Sequence, residues 1–135
     1  MTPFEVHPRL LKSSFELAQR KSCHVLLKDN SHFPWFLIVP EVANGEEDLH
    51  QLTEERAAEV MSLVREVSQF VSEYFQPEKL NVACIGNQVR QMHLHVVGRT
   101  PHDPAWPGVV WSCDAKQSYT SERVSEIRSA FLERL

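Results

Sequence analysis

The chain has no long apolar segment and no basic leader. None of its hydrophobic runs approaches the roughly 20 residues that a helix needs to cross a bilayer. The N-terminal sequence MTPFEVHPRL lacks the basic flank and apolar core of a secretory signal. We therefore expect a soluble, cytoplasmic protein with no membrane partner.

Cysteine is also scarce, and positive charge is not in excess. The three cysteines, Cys23, Cys84 and Cys113, lie far apart and form no CxxC pair, which excludes a disulfide scaffold and the commonest zinc and redox motifs. A formal net charge of −4 argues against a surface that coats nucleic acid, because such a surface needs clustered lysine and arginine. Small anions, which need only a few donors, remain possible ligands.

No repeat, low-complexity segment or linker rich in glycine or serine divides the chain. Its 135 residues, 42% of them hydrophobic, suffice for one hydrophobic core and are too few for two well-packed cores. We predict a single domain over residues 1–135.

Hydrophobic periodicity predicts one long helix in the middle of the chain. In LTEERAAEVMSLVREVSQFVSEYF the apolar residues form one stripe, with Thr53 as the N-cap and Pro77 after the end. A final amphipathic helix is predicted from about Ser121. A short helix is also predicted to open PRLLKSSFELAQR, where four apolar residues recur at mixed helical spacing: Leu10, Leu11, Phe15 and Leu17.

Two pairs of strands are predicted around the central helix. CHVLLK and WFLIVP flank the turn DNSHFP, whose polar residues and proline favour a hairpin. KLNVACIG and QVRQMHLHVVGR flank Gly86 and Asn87, and this glycine gives the loop freedom to approach a ligand closely.

Residues 91–99, QMHLHVVGR, carry the most informative pattern in the chain. Side chains alternate along a strand, so Gln91, His93 and His95 share one face. The opposite face is apolar and consists of Met92, Leu94 and Val96. A solvent face usually consists of Thr, Lys, Glu and Ser. This row instead holds two imidazoles, which take up and release protons near neutral pH, and an amide that donates and accepts hydrogen bonds. We therefore favour a functional face over a solvated one.

A His-x-His row is compatible with two chemistries. As a metal site it needs a third protein ligand, and the candidates His102, Asp103 and Cys84 do not lie at a diagnostic spacing. In phosphoryl or nucleotidyl transfer, one neutral imidazole attacks phosphorus while a second group manages the proton of the leaving group. The second chemistry gives both imidazoles a role.

At these residues the sequence resembles the histidine triad superfamily, whose motif is His-x-His-x-His followed by two apolar residues. In QMHLHVV, Gln91 takes the place of the first histidine, His93 of the middle one and His95 of the last. The resemblance runs from about Cys23 to Trp111, through WFLIVP, the central helix and GNQVR. AWPGVVW is similar to the tryptophan-bearing segment of a bacterial branch, in which we expect the glutamine variant of the motif.

The resemblance implies a small α+β fold: an antiparallel sheet, a central helix and a C-terminal helix, with the sheet continued across a homodimer. It also implies a nucleotide hydrolase or transferase that acts on a nucleoside phosphoramidate or dinucleoside polyphosphate without a cofactor. His93 would attack the α-phosphorus and form a nucleotidyl intermediate, which water then hydrolyses to the nucleoside monophosphate. His95 would supply a hydrogen bond or proton beside it.

Further site residues follow from the same resemblance. Asn87 and Gln88 match the positions that donate hydrogen bonds to phosphate oxygens. Asp29 would accept hydrogen bonds from the ribose hydroxyls, and Leu26 and Leu27 would lie near the base.

Gln91 is the main departure from the family pattern. An amide can donate and accept, and so can keep the hydrogen bonds that orient His93. It cannot carry a titrating proton, which leaves open a nucleotide-binding module without turnover. Trp35 stands where one branch has another active-site histidine. Trp106 and Trp111 are packing aromatics that can also line the leaving-group side of the pocket.

Overall fold

A five-stranded antiparallel sheet organises the computed structural model, which describes residues 3–135. The strands are arranged in the order β1-β2-β3-β5-β4. In chain order the elements are α1 (Pro8–Lys12), β1 (Ser14–Arg20), β2 (Cys23–Lys28), β3 (Trp35–Pro40), α2 (Glu54–Phe75), β4 (Lys79–Cys84), β5 (Leu94–Arg99) and α3 (Ser121–Arg134), with short 3₁₀ turns at Leu49–Gln51 and Val110–Ser112. The α+β fold predicted from the sequence is confirmed.

Both predicted strand pairs are present. Strands β2 and β3 pair with Leu27 opposite Phe36, and β4 and β5 pair with Ala83 opposite His95. The second pair has a longer loop than predicted, because β5 begins only at Leu94. Gly86 allows this loop to fold tightly, since a Cβ there would lie 2.9 Å from the carbonyl oxygen of Val89.

The first strand was not predicted. Helix α1 ends at Lys12, and Ser14–Arg20 then pairs along β2, with Phe15 opposite Leu27. The predicted helical spacing of Phe15 and Leu17 was therefore wrong, because pairing with a neighbouring strand outweighed a weak local pattern. The alternation of a strand turns Leu17 into the core.

Both predicted long helices are present, and α2 begins at its predicted cap. The hydroxyl of Thr53 accepts a hydrogen bond from the backbone N–H of Arg56 at the start of α2, and Thr120 caps α3 in the same way. Helix α2 buries Val60, Leu63, Val64, Val67, Phe70 and Val71, and α3 buries Val124, Ile127 and Phe131. No helix within residues 3–135 has both the length and the hydropathy to span a bilayer.

The sheet has two different faces. The helix face packs against α2 and α3, and its sheet residues include Val25, Leu27, Phe36, Ile38, Leu94 and Val96. The loop face packs against an N-terminal arm, residues 3–12, and against the segment 105–113. Its buried apolar residues include Val6, Leu10, Leu26, Phe33, Trp35, Leu37, Val89, Val97 and Val110.

Candidate active site on the loop face

The two histidines of the motif lie side by side on the loop face. Their ring centroids are 4.9 Å apart, and each residue is only 5% exposed. The predicted alternation is confirmed, because the apolar residues between and beside them belong to the helix-face core: Met92, Leu94 and Val96. Strand β5 therefore separates packing on one side from polar chemistry on the other.

His93 has one nitrogen held and one nitrogen free. Its Nδ1–H donates to the backbone carbonyl of Gln91 at 2.7 Å, and its Nε2 has no hydrogen-bond partner among residues 3–135. Burial lowers the pKa of His93, aided by the positive charge of Lys28 and opposed by the bond to Gln91. A neutral ring with a protonated Nδ1 leaves the Nε2 lone pair available.

His95 has both nitrogens engaged. The indole N–H of Trp35 can only donate, so its 3.0 Å bond makes Nδ1 of His95 an acceptor. The Nε2–H then donates to the carbonyl of Ile85 at 3.3 Å. Burial first, and then the neighbouring His93, lowers the pKa of His95 to about 4. His95 is consequently a neutral donor at physiological pH.

Aromatic rings surround His95. The Trp111 ring centroid lies 5.1 Å from that of His95 and 6.0 Å from that of Trp35, in edge-to-face arrangements. The buried Nε1 of Trp111 has no hydrogen-bond partner among the described residues. Trp106 lies apart from this group, against the guanidinium of Arg99. Of the two tryptophans in AWPGVVW, Trp111 is the one that contacts the histidine pair.

A buried ion pair holds the segment that carries Trp111. Arg99 is 2% exposed and binds Asp103 through two hydrogen bonds of 2.8 and 3.1 Å. It also donates to the carbonyl of Gly108 at 2.7 Å and to the side chain of Asn81 at 2.8 Å. Sequence reasoning missed this pair, although an arginine ending a strand four residues before an aspartate in a turn was a usable signal.

The side chain of Gln91 binds the N-terminal arm instead of His93. Its Nε2 donates to the carbonyl of Glu5, and its Oε1 accepts from the backbone N–H of His7, both at 2.8 Å. The arm is further fixed by the burial of Val6 and Leu10 in the loop-face core. Only the backbone carbonyl of Gln91 forms a hydrogen bond with His93. The main chain therefore orients that ring, and not the amide side chain as predicted.

The loop before β5 carries the two predicted phosphate donors. Asn87 and Gln88 are both exposed. The Oε1 of Gln88 accepts a bond of 3.3 Å from the guanidinium of Arg9, which leaves its amide N–H groups without a protein partner in residues 3–135. This loop therefore presents amide donors near the start of the motif strand.

The residues predicted to contact the nucleoside do not all lie on the same face of the sheet. Leu27 is completely buried in the helix-face core, on the other side of the sheet from His93 and His95. Its expected contact with the base is thus corrected by strand alternation, which leaves Leu26 on the loop face. Asp29 is partly exposed after β2, and its Oδ1 accepts a bond of 2.9 Å from the N–H of Tyr119.

The metal interpretation finds little support in the geometry. Within residues 3–135, no group of three or more histidine, cysteine, aspartate or glutamate side chains is placed to hold an ion. Asp103 is committed to Arg99, and Cys84 is exposed on the edge strand β4.

A second polar cluster lies at the other end of the loop face. His24 bonds Glu16 through Nδ1 at 2.8 Å and Glu41 through Nε2 at 2.9 Å, and its ring stacks on Phe4 of the N-terminal arm. Burial opposes its ionisation, but the two carboxylates outweigh burial and raise the pKa of His24. An open cavity of about 710 Å³ beside it is lined by the arm and does not include the motif histidines.

Comparison with known proteins agrees with this geometry. The HIT domain model matches residues 11–102. A histidine triad protein from Marinobacter aquaeolei VT8 is 33% identical, with a TM-score of 0.92 over 98% of this chain and 96% of that one. One from Sinorhizobium meliloti 1021 is 27% identical, with a TM-score of 0.92 over 98% and 97%. One from Bradyrhizobium japonicum is 28% identical, with a TM-score of 0.91 over 96% of each chain.

A search of curated proteins finds no match. The family model covers more than half of the chain, and the three solved structures cover nearly all of it. The motif strand, the pair of neighbouring imidazoles and the antiparallel sheet that presents them accord with these matches. The chain belongs to the histidine triad family.

Proposed function

We propose that this protein is a nucleotide-binding hydrolase or transferase that cleaves at the α-phosphate of a nucleoside phosphate derivative. The observation that carries this proposal is the free Nε2 of His93, on a neutral ring whose Nδ1–H is held by a backbone carbonyl. Such a ring is a competent nucleophile at neutral pH because it needs no prior deprotonation.

The reaction has two steps. The Nε2 of His93 attacks the α-phosphorus, a P–N bond forms, and the bond from phosphorus to the leaving group breaks while the leaving group takes up a proton. Water then attacks the same phosphorus and loses a proton, the P–N bond breaks, and His93 is released with a nucleoside monophosphate. The substrate class we favour is a nucleoside phosphoramidate or a dinucleoside polyphosphate, with no cofactor.

We assign supporting hydrogen-bond roles to His95, Asn87, Gln88 and Asp29. His95 is neutral, and its 3.3 Å bond to Ile85 is long enough to be exchanged for one to a phosphate oxygen. The side-chain N–H groups of Asn87 and Gln88, which have no partner within residues 3–135, would supply further donors from the preceding loop. Asp29 retains an oxygen that can accept from a ribose hydroxyl while the other accepts from Tyr119.

A second candidate function is nucleotide binding without turnover. The observation that favours it is the side chain of Gln91, which is used to hold Glu5 and His7 and does not assist His93. A binding module would retain the phosphate donors and the ribose contact but would release its ligand unchanged.

We further propose that the protein works as a homodimer. Strand β4 forms one edge of the sheet, with unpaired backbone groups along its outer side, and Val82 on it is 47% exposed. An open edge of this kind can pair with the same edge of a second copy across a two-fold axis and so continue the sheet. Light scattering on the purified protein tests this point.

The catalytic proposal is tested with His93→Ala. We expect hydrolysis of adenosine 5′-phosphoramidate to fall by at least about a thousandfold, because the nucleophile is gone. Binding of AMP and the melting temperature should change little, since the ring packs on the loop face and not in the helix-face core. The matched control is His50→Ala, an exposed histidine in the 3₁₀ turn before α2.

The outcomes separate the two candidates. Turnover by the wild type that disappears in a folded His93→Ala protein supports the enzyme. AMP binding without turnover in the wild type supports the module. Undiminished hydrolysis by folded His93→Ala protein contradicts the proposed nucleophile.

A further inference from the structure

Lys28 brings an ammonium group to the loop face beside the candidate site. It ends β2, where Leu26 faces the loop-face core and Leu27 the helix face, so alternation turns Lys28 toward the loop face. Its Nζ lies 5.0 Å from the ring centroid of Trp35. The indole N–H of the same tryptophan bonds His95. Lys28 and His95 therefore contact different parts of one aromatic ring.

This ammonium has no counter-charge in the part of the chain that the structure describes. Among residues 3–135, Lys28 forms no ion pair and no side-chain hydrogen bond. The carboxylate of the next residue, Asp29, accepts a hydrogen bond from the backbone N–H of Tyr119 and forms no ion pair with Lys28. Lys21, by contrast, pairs with Glu66. Partial burial of an ammonium group without a counter-charge costs free energy. Such a group is therefore unusual unless a ligand offsets that cost.

A second lysine, Lys116, lies in a segment that is hydrogen-bonded to the turn after Lys28. The residues on either side of Lys116 are pinned to the turn that follows Lys28. The carbonyl of Ala115 accepts from the side chain of Asn30 at 2.9 Å, and that of Gln117 accepts from the backbone of Ser31 at 2.6 Å. Lys116 is exposed and also lacks an ion-pair partner in residues 3–135.

Two like charges near one turn affect each other. Burial, and then the charge of Lys116, lowers the pKa of Lys28, while Lys28 in turn contributes to the lowered pKa values of His93 and His95. The chain as a whole carries a net charge of −4, so this concentration of unpaired positive charge does not follow from composition. An anion placed between the two lysines would relieve their repulsion.

We propose that Lys28 and Lys116 form an anion-binding subsite that takes a second phosphate of the substrate, besides the one attacked by His93. This inference rests on the proposed function and specifies its substrate class: a nucleotide derivative with at least two phosphate groups. Position distinguishes the two phosphates, because the attacked one lies at the free Nε2 of His93, and the second lies across Trp35 from His95. The second phosphate is either part of the leaving group or attached to the ribose.

The test measures binding to three ligands that the enzyme need not turn over. AMP has one phosphate, ADP adds a second on the 5′ side, and adenosine 3′,5′-bisphosphate adds it on the ribose. Lys28→Met removes the charge and keeps an apolar stem of similar length over Trp35. Lys12→Met is the control, since Lys12 is an exposed lysine at the end of α1.

We expect Lys28→Met to weaken binding of one doubly phosphorylated ligand by about tenfold, the size of one charge-assisted hydrogen bond, and to change AMP binding less than about twofold. Lys116→Met should have a smaller effect, about threefold, because its charge is exposed to solvent. Lys12→Met should bind all three ligands as the wild type does. The wild-type preference for the second phosphate should shrink as salt is raised.

Each result decides the inference. Weakening confined to ADP assigns the subsite to the leaving group, and weakening confined to the bisphosphate assigns it to the ribose. Equal weakening for AMP and both other ligands, or no weakening at all, overturns the subsite. Unchanged turnover in His93→Ala alongside these binding differences would contradict only the proposed reaction. Failure of the wild type to bind any of the three ligands would contradict both proposals.

Discussion

The two faces of the sheet differ in how they use buried groups. On the helix face, the buried side chains contributed by the strands and by α2 and α3 are apolar. On the loop face, the strands and the loop before β5 bury four polar or charged side chains: His24, His93, His95 and Arg99. The side chains compared are buried on both faces, so the difference lies in their chemistry and not in their exposure.

The four polar side chains of the loop face differ in whether the protein itself supplies their hydrogen-bond partners. Arg99 and His24 each have carboxylate partners, and both ring nitrogens of His95 are bonded. His93 alone among these four keeps a ring nitrogen without a partner in residues 3–135. A ring nitrogen without a protein partner is available to a ligand, so we expect the ligand at His93.

The largest effect should come from a cavity in the helix face. Phe36 is fully buried and packs against the rings of Phe70, Phe75 and Phe131. We expect Phe36→Ala to lower the free energy of unfolding by about 3–5 kcal/mol, as measured in urea. Turnover per folded molecule should change little. A small loss of stability would show that the helix face does not carry the fold.

Removal of one partner of the buried ion pair should have the next largest effect. It tests whether the loop face also contributes to the stability of the fold. Asp103→Ala leaves Arg99 charged, buried and without its carboxylate, which we expect to cost about 3 kcal/mol in urea unfolding. Turnover should also fall, because the segment carrying Trp111 is no longer fixed beside His95. Asp114→Ala, at an exposed carboxylate, should be neutral in both measurements.

The His24 cluster should make stability depend on pH. The pKa of His24 is raised in the folded protein, so its contribution is complete below the unfolded pKa of about 6.5 and is lost as pH rises through the folded value. We expect the wild type to lose more free energy of unfolding than His24→Gln between about pH 6 and pH 9. Parallel pH profiles of the two proteins would contradict the assignment.

The smallest effect concerns the amide at position 91. Gln91→Glu cannot donate to the carbonyl of Glu5, and we expect it to destabilise the protein by about 1 kcal/mol, the typical worth of one hydrogen bond. Gln91→His should lose stability as well, because its two ring nitrogens point in different directions while the amide binds Glu5 and His7 together. Gln117→Glu serves as the control, since Gln117 is exposed.

The turnover of Gln91→His provides a second test of the role of Gln91. If Gln91 serves only the N-terminal arm, Gln91→His should not raise turnover. A gain in turnover would mean that a histidine here assists His93, as it does at the first position of the family motif.

Local patterns predicted most of the fold. The central helix, its Thr53 cap, the two strand pairs and the face shared by His93 and His95 follow from periodicity within a few residues. Strand β1 was missed because its pairing with β2 is a tertiary effect that its own sequence only weakly encodes. Leu27 was misplaced because resemblance supplied its role and alternation was not applied to it.

Contacts between distant segments could not be predicted. Gln91 bonds residues 84 and 86 positions away in the sequence, and the turn after Lys28 bonds the segment that carries Lys116. No local signal reports such a pairing, because either segment would have the same sequence without the other. The function of the glutamine in the motif therefore became interpretable only from the three-dimensional arrangement.

Direct observation of a covalent intermediate would test the central claim about His93. The wild type is mixed with adenosine 5′-phosphoramidate, quenched rapidly without acid, and analysed by intact-mass spectrometry and peptide mapping. We expect a mass increase of one adenylyl group that maps to His93 and disappears in His93→Ala. Turnover with no adduct at any time point, or an adduct on another residue, would contradict the account.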